Sequence, residues 1–473
     1  MLGRQLVRFD FFVAEIGSTT TVVNAVNRTG QGACLAGQGQ AATTVLGENG
    51  VVDGLNNAIE NLRVSLGADS VSCGKMFATS SAAGGLRMSV HGLVQDMTLR
   101  AAREAALGAG ANLHMCTTGI LSDFDLKEIQ RISPNLVLLA GGTDYGERET
   151  TIANARLLCS LEIRPPVIYA GNIQNSRQIQ DILSGGGFRC YAVENVYPRL
   201  DELNIEPTRK CIYRVFEEHI TQAPGMQNVR KMVSGSIMPT PGAVMECARL
   251  LYGSIGDLLV ADVGGATTDI HSVSEGSDEI AAMLIAPEPF AKRTVEGDLG
   301  VFVNAENLAL QVGIDNLERG TGLDVRALLD RRTAIPCDDQ QLKLAQALTW
   351  HASSIALKRH AGYFRRTYGA SGRKTYAQGK DLSKVKWLVG TGGALTKMPG
   401  HREILSRLCG LNAGGQLLLP KPGTMRILVD RHYIMASAGV LSAEYPDIAF
   451  SLLKNSLEIE NITGGNGVPA SVH

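Results

Sequence analysis

Val260-Ala-Asp-Val-Gly-Gly-Ala-Thr-Thr-Asp-Ile270 is the stretch on which the reading of this chain turns. An apolar strand over 258–261 runs into Asp262, then Gly264 and Gly265, Thr267 and Thr268, and a second acid, Asp269; a second strand follows over 270–273. Two strands joined through a Gly-Gly turn predict a β-hairpin. Glycines let backbone N–H groups approach an anion, because no Cβ stands in the way. Threonine hydroxyls add donors, and an Asp at the strand end can hold Mg²⁺ through water beside a phosphate. The hairpin therefore reads as a phosphate clamp with a metal-side carboxylate. An ordinary hairpin turn would use the same residue types.

Two further stretches share its grammar. Phe12-Val-Ala-Glu-Ile-Gly-Ser-Thr-Thr-Thr-Val-Val23 gives an apolar strand, Glu15, Gly17, the hydroxyl run Ser18, Thr19, Thr20 and Thr21, and a second strand. Trp387-Leu-Val-Gly-Thr-Gly-Gly-Ala-Leu-Thr396 is a strand running into the turn Gly390, Thr391, Gly392, Gly393. The trio resembles the first-phosphate, second-phosphate and adenosine motifs of the superfamily that includes actin, sugar kinases, acetate kinase and heat-shock chaperones. That resemblance implies an α/β chain of two ribonuclease-H-like (actin-like ATPase) domains that close over ATP.

The bulk properties fit. A chain of 473 residues is too long for one ordinary core, so two or more domains are expected. With 44% hydrophobic residues, 19% charged and a net charge of −1, it describes a soluble globular protein with no bulk electrostatic reason to bind nucleic acid. A basic run over 358–386, with Arg359, Arg365, Arg366, Lys374 and Lys380, reads as a solvated helix end and loop; the superfamily resemblance adds that Lys358 or Arg359 could approach a nucleotide. The nine cysteines lie far apart, with no CxxC pair. They are expected to be reduced thiols of a cytoplasmic protein, and no zinc or iron–sulfur site follows from them. No signal peptide and no membrane span are read. There is no Walker A motif. Gly37, Gly39 and Ala42 match a GxGxxA spacing, but Thr43-Thr-Val-Leu continues as a strand rather than a helix, which argues against a dinucleotide site.

Along the chain, a hairpin is expected over 9–26, a strand over 33–44, a helix over 52–66 and a strand over 71–79. A small-residue turn over 80–88 leads to a helix over 93–107. An α/β section of its own follows: cap residues Ser122-Asp-Phe-Asp before a helix, a strand over 136–139 ending in Ala140-Gly-Gly-Thr-Asp144, another helix, and a strand that ends at Gly171-Asn172. Strand, glycine turn and helix in alternation are the mark of a parallel α/β sheet. Loops are expected over 184–187 and 198–207, a helix over 243–251 and a long helix over 342–363. The domain division predicted is 1–255, with an inserted α/β section over about 112–230, then 256–450, then a tail over 451–473, taken as disordered from Asn461 on.

Five longer stretches point to one branch of the superfamily: Thr79-Ser-Ser-Ala-Ala-Gly-Gly-Leu-Arg-Met88, Leu138-Leu-Ala-Gly-Gly-Thr-Asp144, Pro166-Val-Ile-Tyr-Ala-Gly-Asn172, Met238-Pro-Thr-Pro241 and Lys292-Arg-Thr-Val-Glu-Gly-Asp-Leu-Gly300. With the three glycine motifs they resemble the glutamate mutase (methylaspartate mutase) accessory protein family, over about 9–441. The resemblance implies an ATP-binding, Mg²⁺-dependent ATPase that acts as reactivase or chaperone for an adenosylcobalamin-dependent mutase, with the mutase subunits as partners, no nucleic acid or membrane, and a homodimer left open. Carried over residue by residue, Gly17, Ser18, Thr19 and Thr20 would meet the β/γ phosphates, and Gly264, Gly265, Thr267 and Thr268 would clamp them. Asp262 would hold Mg²⁺ and orient the attacking water, and Gly390, Thr391, Gly392 and Gly393 would face the adenosine. Asp298, in Glu-Gly-Asp-Leu-Gly, is a further catalytic candidate; a turn Asp is its other reading. Two positions depart from the pattern. Glu15, a catalytic and metal-side candidate, stands where most of the superfamily has Asp, and Val22 stands where Lys is frequent. A small-molecule kinase of the same superfamily and a non-hydrolysing scaffold for the mutase are the other functional readings.

Overall fold

β1 (Leu6–Ile16) is buried without interruption from Phe11 to Ile16, as a strand must be when it has neighbours on both edges and cover on both faces. The computed structural model describes residues 6–17, 20–30, 32–44, 50–81, 86–220, 226–369 and 372–459. In it β2 (Thr20–Thr29) returns antiparallel to β1, β3 (Gly32–Ala42) runs antiparallel to β2, and β4 (Ser70–Ser80) lies parallel to β1 on its other edge. The helix Val51–Ser65 packs Leu55, Ala58 and Leu62 onto this sheet. A Cβ on Gly39 would collide with the Ala58 carbonyl oxygen. The glycines with dinucleotide-like spacing therefore serve close helix–sheet packing.

The chain then builds a second sheet from β5 (Arg87–Gly92), β6 (Asn112–Thr118), β7 (Leu136–Leu139), β8 (Val167–Tyr169) and β9 (Cys190–Ala192). All its pairings are parallel, in the order β6-β5-β7-β8-β9. Helices Arg100–Gly108, Asp123–Ile132, Glu149–Leu158 and Ser176–Gly185 alternate with the strands. The helix Asp123–Ile132 begins on a capping box, in which Ser122 and Asp125 satisfy each other's backbone N–H. Ile129, Val137, Leu139, Ile152, Val167 and Ile179 form one apolar layer of this section. Where a loop was expected over 198–207, a helix Glu206–Ile220 already begins. β10 (Ile237–Pro239) then pairs parallel with β4 and completes the first sheet, in the order β10-β4-β1-β2-β3.

Past the helix Thr240–Ile255, the sheet order is built again. β11 (Leu258–Val263), β12 (Thr268–Val273) and β13 (Ala291–Glu296) form an antiparallel meander. The basic run folds as an antiparallel hairpin of β14 (Tyr363–Gly369) and β15 (Gly372–Gln378), not as the expected loop. Lys380, counted in that run, is buried, and its Nζ donates to the carbonyls of Ser274, Pro289 and Phe290 at 2.6, 2.8 and 3.1 Å. β16 (Trp387–Thr391) and β17 (Arg426–Val429) add in parallel beside β11, giving β13-β12-β11-β16-β17. The long helix Asp339–His360 buries Leu344, Leu348, Ala352 and Ala356.

By contacts the chain divides into two compact units: Met1–Glu246 with Ala436–Ala449, and Cys247–Met435 with Phe450–His473. Each is discontinuous in sequence. In the first, the late segment is integral: Asn24 Nδ2 donates to Ser437 Oγ at 2.8 Å, deep inside. Tyr445 packs on Phe11 at 5.0 Å and edge-on to Phe77 at 6.0 Å. No helix among the described residues is long and apolar enough to cross a membrane. The cysteines are all free.

His91, in the first unit, and His271 and His360, in the second, are fully buried. Burial holds His91 at about 4 and pushes His271 and His360 well below the ordinary imidazole range; Arg293 adds to the effect at His271, as Lys292 and Lys380 do at His360. Each ring is neutral in the folded chain and gains a proton only on unfolding. Stability present above the unfolded value of about 6.5 is therefore lost as pH falls below it. Denaturant midpoints should drop between about pH 7.5 and about pH 5, with unfolding at the lower pH taking up about three protons. An unchanged midpoint would mean that the rings are charged in the folded chain.

Candidate functional site

The two glycine hairpins have the same construction. The last paired residues are Ile16 with Thr21 in one and Val263 with Thr268 in the other. Between them lie loops 17–20 and 264–267. The Gly17 N–H donates to the Thr20 carbonyl at 3.0 Å, and the Gly264 N–H to the Thr267 carbonyl at 2.9 Å. An acid, Glu15 or Asp262, stands two residues before the glycine in each.

In the first unit, Glu15 is buried at 6% exposure and sits in register with Val22 on one side and Thr79 on the other. Val22 is itself buried at 4%. A Cβ on Gly17 would lie 2.6 Å from the Thr20 carbonyl oxygen, so the tight turn requires glycine there. Ser18 and Thr19 lie outside the described residues.

In the second unit the loop is fixed from behind. The Gly264 carbonyl accepts from Val301 N–H at 3.2 Å, and that of Gly265 from Phe302 and Val303 N–H at 2.9 and 2.7 Å. The Ala266 carbonyl accepts from Asn304 Nδ2 at 2.7 Å. Thr268 is buried, and its hydroxyl donates to the Leu299 carbonyl at 2.7 Å. With the carbonyls so engaged, the N–H groups of Gly265 and Ala266 meet no acceptor among the described residues. Successive backbone N–H groups with no protein partner are what an anion-binding loop needs.

Asp262 is half-buried and in register with Thr391 of β16. Gly392, with φ +81°, follows; a Cβ there would lie 2.5 Å from Asp262 Oδ1 and 2.5 Å from the Val263 carbonyl oxygen. Gly392 thus combines a left-handed backbone with close approach to the carboxylate, and only glycine allows both. Asp262, Gly264, Gly265 and Gly392 come together in this unit. Gly393 has open space beside it, whereas a Cβ on Gly390 would meet the Leu405 side chain at 2.7 Å. Thr391 faces inward: it is buried and its hydroxyl donates to Asp430 Oδ2 at 3.0 Å. Asp430, absent from the sequence reading, also accepts from the Ile434 and Met435 N–H groups at 2.8 and 3.0 Å and from Ser456 Oγ at 2.6 Å. Its one sequence signal was a strand, Arg426 to Val429, that ends in an acid.

The second acid of the hairpin, Asp269, is committed elsewhere. It is buried against Arg293, whose Nε and Nη2 approach Oδ1 at 2.8 and 2.6 Å, and it accepts from Thr267 Oγ1 at 3.1 Å. Neither ring nitrogen of His271, two residues on, has a hydrogen-bond partner among the described residues. Asp298 is half-exposed and lies 3.5 Å from Arg359 Nη1, which also pairs with Glu296. Glu296 stands in register with Thr268. Burial raises its carboxyl above the ordinary range, against the opposing pull of Arg359. The sequence reading passed over Glu296, although it lies in the same Glu-Gly-Asp stretch as Asp298. Among the described residues, no three His, Cys, Asp or Glu side chains form a group that could hold a metal ion by themselves.

One sheet order built twice, with one hairpin turn built twice, defines an α/β protein with the actin-like ATPase fold, carrying an additional parallel α/β sheet. The MutL protein family matches residues 11–457. Protein MutL of Clostridium tetanomorphum is 36% identical over 463 residues, which covers 94% of this chain and 99% of that protein. The chain belongs to the MutL family, the mutase accessory family that its five longer stretches resemble. Two solved structures are distantly similar. A nucleotide-free acetone carboxylase is 11% identical with a TM-score of 0.40, over 92% of this chain and 70% of that one. A glycerol dehydratase reactivase is 12% identical with a TM-score of 0.34, over 91% and 99%. The fold assignment rests on strand order, not on these superpositions.

The Asp269–Arg293 pair predicts a stability effect separable from function. Arg293→Met leaves a buried carboxylate uncompensated and should cost about 3–5 kcal/mol. Adding Asp269→Asn should recover part of that loss, since the two changes are coupled. Denaturant titration of the wild type, both single variants and the double variant measures it; additive losses would show that the pair is not coupled.

Proposed function

We propose that this chain is an ATP-driven accessory protein, a reactivase or chaperone, for an adenosylcobalamin-dependent mutase such as glutamate mutase. The observation that carries the nucleotide part is the loop over 264–267, with its carbonyls bound to the protein and the N–H groups of Gly265 and Ala266 left for a ligand. The partner part rests on family membership over nearly the whole chain.

In this reading the phosphate contacts are Gly17, Ser18, Thr19 and Thr20 of the first hairpin, and Gly264, Gly265 and Thr267 of the second, with Thr268 bracing the loop from within. Asp262 would hold Mg²⁺ and orient the attacking water, and Glu15 of the first hairpin would be a second metal-side acid. Bound Mg²⁺ supplies charge neutralisation for the phosphates. Gly392 and Gly393 face the adenosine; Gly390 and Thr391 shape that turn from inside. Asp298 and Glu296, both tied to Arg359, form a second acidic pair near the hairpin. Catalysis of this kind is positioning plus charge stabilisation, without a covalent protein intermediate. ATP turnover then switches the protein between two states that the partner senses, and the inserted α/β section makes the partner contact.

A second reading, a non-hydrolysing scaffold that uses the fold only to bind a mutase subunit, is favoured by Val22. A buried apolar side chain stands where a lysine is frequent, and the longer Glu15 stands beside it.

Mg-ATP at about a hundred times its dissociation constant should add roughly 2.7 kcal/mol of stability, which is several degrees in Tm at about 2–4 °C per kcal/mol. Gly392→Ala, which pushes on the Asp262 carboxylate, should weaken Mg-ATP binding by about tenfold or more. No thermal shift with any adenine nucleotide would end the nucleotide reading.

The functional assay is mutase turnover after inactivation, in the presence of fresh cofactor. The wild type with Mg-ATP should restore activity, and ADP alone should not. Asp262→Ala should bind the mutase and fail to recycle it. Recovery that does not depend on nucleotide would select the scaffold instead.

A further inference from the structure

The loops that follow the strands of a parallel sheet all emerge at its carboxyl edge, where α/β sheets place their ligands. In the inserted sheet, the loop after each of the five strands exposes at least one large apolar side chain. Val94 follows β5, Ile120 and Phe124 follow β6, Tyr145 follows β7, Ile173 follows β8 and Leu200 follows β9. Phe124, Tyr145 and Leu200 are 74%, 78% and 72% exposed, and Ile120 and Ile173 are more than half exposed. One such residue is ordinary; a row of them along one edge of one sheet is not.

Hydrogen bonds tie these loops to one another in two groups. The Gly119 N–H donates to the Gly92 carbonyl at 3.0 Å, which joins the loop of Ile120 to that of Val94. The Asp144 carboxylate accepts from the Ile173 N–H at 2.9 Å, and its N–H donates to the Pro198 carbonyl at 2.9 Å, which links the loops of Tyr145, Ile173 and Leu200. Asn172 accepts from the Tyr145 N–H at 3.2 Å and donates to the Gly146 carbonyl at 3.2 Å; Asn195 donates to the Gly142 carbonyl and to Asp144, each at 3.0 Å. Buried asparagines thus hold the tip rigid, with Tyr145 at φ +64°. A bulky non-glycine residue in the left-handed region, its ring in solvent, is strain retained without any packing return.

This edge is not arranged for a cofactor. At the switch point between β5 and β7 the crevice is filled: a Cβ on Gly141 would meet the Thr151 methyl at 2.7 Å and Leu93 at 3.5 Å, and one on Gly92 would meet the Leu99 backbone at 2.6 Å. The charge is also wrong for a phosphate. Asp96, Asp123, Glu147 and Asp201 stand exposed beside the apolar residues. Of the arginines in the same loops, Arg199 lies 3.8 Å from Glu202, and Arg148 is bonded to Asn175 at 2.9 Å.

We infer that the carboxyl edge of the inserted sheet is the face that docks the partner protein, and that the matching surface on the partner is an apolar patch bordered by lysine and arginine. This rests on the accessory-protein reading and adds to it the place and the chemistry of the contact. A rigid, acid-rimmed apolar face fits a protein with the complementary charge, because little conformational freedom is lost on docking and charge complementarity steers the approach.

The test uses the full chain and the purified subunits of the organism's adenosylcobalamin mutase. Binding is measured by titration calorimetry at about 50 mM and about 300 mM salt. The variants are Phe124→Ser with Ile173→Ser, which removes two exposed anchors; Tyr145→Gly, which removes the ring and relieves the backbone; and Asp96→Lys with Asp123→Lys, which reverses the rim. Because these side chains are exposed, thermal midpoints should stay at the wild-type value in the first and third variants and should not fall in Tyr145→Gly. The first two variants should weaken binding by about tenfold or more. The charge reversal should weaken it and remove its salt dependence. Wild-type affinity in all three, with the mutase still bound, overturns the face and leaves the accessory reading intact. Failure of the wild type to bind the mutase in any nucleotide state overturns that reading and this inference with it. A wild-type dimer in sedimentation that these variants make monomeric would assign the face to a second copy of the chain, and overturns the partner named here.

Discussion

Three backbone carbonyls set the character of the candidate site. Those of Gly264, Gly265 and Ala266 are bound by the segment over 301–304, and this fixes which way the peptide units of the loop turn. Peptide groups are dipoles, so anchoring the negative ends against the protein leaves the positive ends for a ligand. The glycines at 264 and 265 keep side chains out of the way, and Gly300 is required because a Cβ there would collide with the Ala266 carbonyl. Asn304 bridges the Ala266 and Gly297 carbonyls at 2.7 Å each. The stretch Thr294 to Gly300 therefore acts first as the backing of the phosphate-type loop, whatever Asp298 itself contributes.

The hairpins, the glycine turn at 390–393 and the parallel section were legible because their signals are local: apolar runs, glycines and acids within a dozen residues. What was missed depended on distant partners. β5 was not read as a strand because its run Arg87-Met-Ser-Val-His-Gly92 includes polar residues that the fold buries. His91 is bonded to Thr117 at 2.7 Å and to Ser89 at 3.1 Å, so its polarity is satisfied inside. The helix Glu206–Ile220 was hidden by Pro207, which looks like a breaker but occupies the first turn, where the missing N–H costs nothing. β14 and β15 were read as a charge run because Arg365, Arg366 and Lys374 dominate the segment, while the apolar pair Phe364 and Ala377 packs against the distant Ile280 and Leu418.

Asp269 shows the limit of motif reading most clearly. In sequence it is the second acid of a phosphate-type hairpin. In the fold it faces Arg293, 24 residues away, because β12 and β13 pair in a register that sets His271 opposite Arg293. No local pattern carries that register. Thr391 is a similar case: a polar residue in a glycine turn that looks ligand-facing, yet whose hydroxyl is held by Asp430 from the next strand. In both, a polar residue of a glycine turn secures the turn itself.

The discontinuity of the first unit has a consequence for how the chain is made. Ser437 and Tyr445, which complete that unit around Asn24, Phe11 and Phe77, leave the ribosome long after the strands they cover. The roughly 190 residues between Glu246 and Ala436 are synthesised at about 5–20 per second, a delay on the order of 10–40 s. Throughout that interval the nascent first unit lacks the partner of Asn24 Nδ2 and the Tyr445 ring that covers Phe11 and Phe77. The unit begun first is thus completed only after most of the second has been made, and the second closes last, with the segment from Phe450 on. A nonsense codon anywhere before Ser437 releases a polypeptide in which neither unit is whole.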